Sequence, residues 1–194
     1  MAFSEPAYVT PEEYLARERV AVEKSEYFRG EIFAMAGGSP AHNRITANLI
    51  REIDTRLLGG PCLTYTGGQR VKVTATELYT YPDVVVVCGE PEFERGGPDT
   101  LLNPTLLVEV LSPSTEGYDR GAKFGHFRRL HTLKEYVLVS QDRARVERYV
   151  RNGEIWELTE LDGLGSALRL DSVPGEIPLS RIYDRVSLPE QPVR

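Results

Sequence analysis

Two carboxylates sit where apolar side chains belong. Leu106–Leu111 is a leucine- and valine-rich run bounded by Pro104 and Pro113, short enough to read as a buried strand. Glu109 interrupts it, and strand alternation puts Glu109 on the face of Leu107 and Leu111. A carboxylate there is costly unless a cation or hydrogen bonds compensate it. Upstream, Tyr81-Pro82-Asp83 opens directly into the four valines at 84–87, a second run of buried-strand character. Asp83 thus stands at a strand entrance, where its carboxylate can face a cleft while the valines fill the core. Acids drawn from two apolar strands point to one shared site. The usual reason to gather them is a hard divalent cation such as magnesium, which prefers oxygen ligands.

The elements that must position these acids are legible along the chain. Thr10-Pro11-Glu12-Glu13 is a helix start, with a threonine cap, proline at the first helical position and glutamate three residues after the cap. That helix is predicted to run to about Val22. Residues 25–28 and 31–35 around Arg29-Gly30 read as a hairpin. Ser39-Pro40 opens a second helix, on which Ile45, Leu49, Ile53 and Leu57 fall four apart as one buried stripe. Strands are predicted at 62–66, 70–73, 78–87 and 106–111, with the polar 89–103 stretch as a loop. A third helix should follow over about 118–130, then strands at 136–140 and 145–150. Asn152-Gly153 turns the last of these into 155–158. From Leu161 the chain is punctuated by Gly and Pro, and about 180–194 reads as a loose tail. The order predicts an α/β fold with a mixed β-sheet flanked by helices, in a single domain over 1–194 with no internal repeat or linker.

Composition narrows the class. Hydrophobic content of 41% and charged content of 27% are those of an ordinary water-soluble globular chain. Cys62 and Cys88 form no CxxC pair, so free thiols are expected rather than a bridge. No apolar run approaches membrane-spanning length and the polar N-terminus lacks the apolar stretch of a secretion signal, so no membrane partner and a cytoplasmic location are expected. The net charge of −6 argues by itself against a nucleic-acid partner. Its distribution is uneven: residues 118–151 carry nine Lys or Arg against four acids, a net of +5, which leaves −11 for the remainder. That segment is either a basic face for a phosphate backbone lying beside an acidic pocket, or a solvated helix face with salt bridges.

With these residues assembled, the chain resembles a known family. Pro82-Asp83, a strand bearing Glu109 and a basic helix after it are similar to the PD-(D/E)XK nuclease superfamily, whose core runs αβββαβ. More narrowly, Glu109-Val-Leu-Ser-Pro-Ser114, then Tyr118-Asp119 and Lys123, then Lys134-Glu-Tyr-Val-Leu-Val139, resembles the Uma family of restriction-endonuclease-type proteins. Glu26-Tyr27, Gly30-Glu31-Ile32 and Ser39-Pro-Ala-His42 match the same layout, and the resemblance covers about residues 10–160. It implies a restriction-endonuclease-like core carrying an extra N-terminal helix and hairpin. The implied activity is metal-dependent hydrolysis of phosphodiester bonds in nucleic acid, DNA before RNA. Asp83, Glu109 and the Val110 backbone carbonyl would then hold Mg²⁺ or Mn²⁺, with Lys123 as the catalytic lysine. Glu31, His42 and Asp119 are supporting candidates, and a homodimer is the implied assembly.

The departure from the superfamily pattern is at Leu111, which takes the place of the strand lysine two residues after the second acid. Lys123 on the following helix is its replacement by resemblance; the plainer reading is a salt bridge with Asp119 four residues before it. Leu111 and the overall acidity also leave room for a non-catalytic nuclease-fold protein that binds or scaffolds. Other motifs fail. His126 and His131 are splayed by their spacing of five, and Ser114 reads as a helix cap rather than a nucleophile. Gly37-Gly38 lacks the spacing of a phosphate-binding loop.

Overall fold

The computed structural model describes residues 8–97 and 99–189. Helix α1 (Pro11–Glu18) carries the full capping box, Thr10 accepting from the Glu13 amide while Glu13 accepts from the Thr10 amide. It ends before the expected Val22, because Val20 and Val22 lie open to solvent and bury nothing that would extend it. The hairpin β1 (Ser25–Phe28) and β2 (Glu31–Ala34) follows. Then comes α2 (Pro40–Leu57), with Ser39 as its cap. Its stripe Ile45, Leu49, Ile53 and Leu57 is buried.

Strands β3 (Cys62–Thr66), β4 (Arg70–Val73), β5 (Leu78–Thr80) and β6 (Val84–Cys88) come next. The stretch expected to be one strand over 78–87 is two strands in different sheets. Tyr81-Pro82-Asp83 is the corner between them, where proline supplies no amide for a ladder. The expected loop over 89–103 contains a short strand β7 (Thr100–Leu101), parallel to β4. Strand β8 (Leu106–Leu111) leads into helix α3, made of the segments Glu116–Tyr118, Asp119–Lys123 and Phe124–Phe127, the middle one π-helical. Strands β9 (Glu135–Ser140), β10 (Arg145–Asn152) and β11 (Ile155–Asp162) complete the main sheet.

That sheet has the order β11-β10-β9-β8-β6-β3 and is mixed, with β8 and β9 parallel and the other neighbours antiparallel. A second sheet runs β2-β1-β5-β4-β7. Alternation sorts the main sheet's side chains. Val84, Val86, Val108 and Val110 face the α2 stripe, while Val85, Val87, Leu107 and Leu111 face α3 and the second sheet. The mixed sheet flanked by helices is therefore as the hydrophobic pattern predicts.

Two expectations are corrected. The tail is not loose over its described part: β12 (Ala167–Arg169), β13 (Glu176–Pro178) and α4 (Leu179–Ile182) pack on α2. Tyr183 is buried, and the Asn48 amide donates to the carbonyls of Ile182 and Asp184. Residues 190–194 lie outside the described residues. Nor are the cysteines free. Antiparallel pairing of β3 with β6 sets Cys62 opposite Cys88, Cα to Cα 4.0 Å, and they form a disulfide. The bridge closes a span of 26 residues. Reduction is therefore expected to lower the unfolding free energy by about 3 kcal/mol, read from urea titrations with and without reductant.

His126 supplies a pH dependence away from the strand acids. Its ring packs edge-on to Phe28 at 4.8 Å, and burial, with Arg29 nearby, holds its pKa below the ordinary 6.5. A histidine depressed on folding costs nothing above its unfolded value and costs stability once protonated. Wild-type stability should therefore fall as pH drops below about 6.5, and His126→Tyr should flatten that fall in thermal melts across pH 5–8.

Candidate active site

The two sheets diverge at the Tyr81-Pro82-Asp83 corner, and the acids gather in the opening. Strand β6 begins at Val84, so β8 beyond Val108 has no partner on that side. The Val110 amide instead donates to Asp83 Oδ2 at 2.7 Å. His42, on the first turn of α2, brings Nε2 to 3.1 Å from the same oxygen. That hydrogen bond, working against burial, raises the His42 pKa. Gly38 makes room for the imidazole, since a Cβ there would sit 2.7 Å from Nδ1. No hydrogen bond among the described residues reaches Asp83 Oδ1, which leaves that oxygen to the cleft.

Glu109 and Lys123 meet one strand away. Lys123 Nζ lies 2.8 Å from Glu109 Oε1, 3.2 Å from Glu26 Oε1 and 3.6 Å from Asp119 Oδ1. The π-helical turn sets Asp119 and Lys123 on one buried side of α3, and the Tyr136 hydroxyl donates to the Asp119 carbonyl, pinning that turn to the sheet. π-turns recur at functional positions because they widen a helix locally and re-aim its side chains. Burial depresses the Lys123 pKa, but Glu109, Glu26 and Asp119 together outweigh it and hold the ammonium well above 10.5. The lysine is therefore charged at neutral pH. Burial drives the Glu109 pKa well up, with Asp83 and Asp119 adding to the rise against the opposing pull of Lys123. Asp119 is raised for the same first reason. Burial beside Glu26 also pushes the Tyr118 phenol up to about 12.

The cluster gathers four carboxylates, Glu26, Asp83, Glu109 and Asp119, around one lysine in a single cleft. The donors for a hard cation are present in type: Asp83 Oδ1 takes no hydrogen bond among the described residues, and Glu109, whose Oε1 faces the Lys123 ammonium at 2.8 Å, supplies a second carboxylate. No group of three or more His, Cys, Asp or Glu among the described residues is arranged as a metal cage. An ion held by one or two carboxylates plus water, as magnesium is, would ask for no more acids than Asp83 and Glu109.

Among the residues singled out from sequence, the structure brings together Asp83, Glu109, Lys123, Asp119, His42 and Val110. Glu31 stays apart. It lies opposite Phe28, exposed, one pleat repeat nearer the hairpin turn than Glu26. Glu26 fills the role instead, fixed by the Thr80 hydroxyl, which donates to it. Gln141, just past β9 and accepting from Ser39 at 2.6 Å, also lines the cleft without having been anticipated. Its only sequence signal is its place after a buried strand. Four of the nine basic side chains over 118–151 are ion-paired within the fold, while Arg128, Arg129, Lys134, Arg143 and Arg151 have no ion pair among the described residues. Arg120 pairs with Glu116 and Glu147, Arg145 with Glu160, and Arg148 with Glu135 and Asp171.

Residues 11–180 match the Uma2 family, described as "Putative restriction endonuclease". Two uncharacterized proteins of Synechocystis sp. are similar. One is 42% identical over 156 residues, 80% of this chain and 88% of that protein. The other is 40% identical over 146 residues, 75% and 76% of the two chains. A crystal structure of a putative nuclease belonging to DUF820 from Anabaena variabilis superposes with a TM-score of 0.73 at 18% identity, covering 90% of this chain and 97% of that one, which shows a shared fold. No helix among the described residues is long and apolar enough to cross a membrane.

Proposed function

This chain belongs to the Uma2 family, and from that premise we propose that it is a metal-dependent nuclease hydrolysing phosphodiester bonds, with DNA as its substrate. The observation that carries the reading is Lys123 seated among Glu109, Glu26 and Asp119 beside Asp83 in one open cleft. Asp83 and Glu109 would hold Mg²⁺ or Mn²⁺. The Val110 carbonyl would join them, since in an extended strand it faces the same side as the Val110 amide, which is directed at Asp83. When bound, such an ion lowers the pKa of its water and stabilises charge on the phosphate.

The chain's own groups do the rest. Lys123, charged and immobilised by three carboxylates, presents an ammonium where negative charge grows on the phosphate oxygens. Because it is already held in place, it needs no reorganisation as that charge develops. Glu26 and Asp119 fix the Nζ position from two different elements. His42 and the Val110 amide bind one oxygen of Asp83 and so turn the other towards the cleft. The leaving oxygen takes its proton from solvent, since the cleft is open at its mouth.

Incubation with plasmid and with single-stranded DNA and RNA, in Mg²⁺, Mn²⁺ or EDTA, tests the assignment. Cleavage should require the metal and vanish in Asp83→Ala and Glu109→Ala. Cleavage surviving both substitutions, or none under any metal, counts against it.

A further inference from the structure

Two aromatic side chains stand at the mouth of the cleft without a part in the chemistry above. Phe33 and Tyr118 are 47% and 38% exposed, and both line the cavity of about 520 Å³ that contains Asp83, Glu109 and Lys123. They come from different elements, β2 and α3. Phe33 is the register partner of Glu26, and antiparallel partners share a face. Glu26 reaches Lys123, so Phe33 is directed to the Lys123 side of the hairpin. The Tyr118 ring centroid lies 5.9 Å from Lys123 Nζ. Two rings therefore flank the polar floor.

The floor itself is deep. Glu109, Asp119 and Lys123 are 5%, 3% and 5% exposed. A duplex is a stiff rod, whereas a single unpaired nucleotide can turn its base against the rings and carry its phosphate towards the floor. We propose that Phe33 and Tyr118 form a stacking rim for an unpaired nucleobase, so that the substrate is single-stranded or locally unpaired nucleic acid rather than intact duplex; this rests on the nuclease reading above. Charge favours the same substrate. Duplex binding draws its affinity from many Lys and Arg contacts to phosphate, whereas this chain carries a net charge of −6 and commits Arg120, Arg145 and Arg148 to internal acids, leaving Arg128, Arg129, Lys134 and Arg143 as the exposed cations of that segment. Base–aromatic stacking supplies affinity without net positive charge, and it tolerates any base because each has a π-face.

Oligonucleotides carrying 2-aminopurine, whose fluorescence stacking quenches, provide the test. Binding is measured in EDTA and cleavage in Mg²⁺ or Mn²⁺, with single-stranded, fully paired and single-stranded abasic forms compared. Wild type should quench the single-stranded probe and cleave it faster than the duplex. Phe33→Ala should weaken both by about 5- to 100-fold, and Phe33→Trp should restore them. On the abasic strand Phe33→Ala should change little, because no base is left to stack. Phe33 lies on an exposed edge strand, so the substitution leaves the core packed. Equal cleavage of duplex and single strand, or an unquenched probe with Phe33→Ala silent, overturns the rim while leaving the nuclease assignment standing. Absence of both binding and cleavage on every substrate overturns the two together.

Discussion

Replacing Glu109 by Gln is expected to lower the rate of phosphodiester cleavage by about a thousandfold or more without unfolding the protein. The change keeps shape and volume and removes one full negative charge from the donor set proposed for the metal. Electrostatic stabilisation by a bound ion is worth several kcal/mol in the transition state, and each 1.36 kcal/mol is tenfold in rate. Lys123 keeps Glu26 at 3.2 Å and Asp119 at 3.6 Å, so α3 stays docked. Stability should move the other way. Burial raises the folded pKa of Glu109, and a carboxylate so raised contributes stability below its unfolded value and loses it as pH climbs through the folded one. The wild type should therefore lose ground relative to Glu109→Gln as pH rises above about 4.5. Such a trade is expected where a site is organised for chemistry rather than for stability. Single-turnover cleavage rates and thermal melts from pH 4 to 8 check both halves. A variant with near-normal cleavage removes Glu109 from the chemistry.

Lys123→Met should damage folding strongly. Methionine fills much the same volume but leaves Glu109, Glu26 and Asp119 facing one another without a cation. Breaking a buried ion pair by removing one partner costs about 3–5 kcal/mol, because the other charge stays buried. The sign with pH is set by both partners. Lys123 is raised above 10.5 on folding, so the stability it provides is complete at neutral pH and is lost only as pH passes its folded value. Without it Glu109 and Asp119, already raised by burial, lose the cation that opposes that rise, so the variant should be weakest near neutrality and recover on acidification as they protonate. Urea titrations at pH 4, 5.5 and 7 read this directly, and a deficit independent of pH would contradict it. Lys123→Arg separates charge from shape. It keeps a cation, so much of the stability should return, while the wider planar head cannot occupy the Nζ position and cleavage should stay low.

Much of the frame was readable before any coordinates. The Thr10 capping box, the α2 stripe and the apolar run of β8 are local signals that formed where the pattern put them, while the valine run at 84–87 formed a strand of its own rather than the end of one over 78–87. Glu109 and Asp83 stood out because each contradicts its surroundings, and a local contradiction needs no knowledge of the fold. Lys123 was another matter. Its spacing from Asp119 is that of any surface salt bridge, and only resemblance to the Uma family raised it above that. Glu31 and Glu26 show the limit most plainly. Both sit on the same face of one hairpin, and the cross-strand register, Glu26 with Phe33 and Glu31 with Phe28, leaves one beside Lys123 and the other in solvent. Similarly, Cys62 and Cys88 are 26 residues apart in sequence and opposite in register. The segment from 167 to 182 buries Leu168, Ile177, Leu179 and Ile182 with no regular period among its glycines and prolines, so nothing in it signalled a packed segment.

The sequence by itself determined the inventory: two acids lodged in apolar strands, the helices and strands that carry them, and a mixed sheet to hold them. Only the tertiary structure decided which further groups join those acids, placing Glu26, Asp119 and Lys123 in the hollow, leaving Glu31 outside, and tying Arg120, Arg145 and Arg148 of the basic segment to internal acids. The division is physical. Alternation and capping act between near neighbours and leave their mark in short windows, whereas convergence depends on strand register, a corner between two sheets and a π-turn, each settled by packing among residues far apart in the chain.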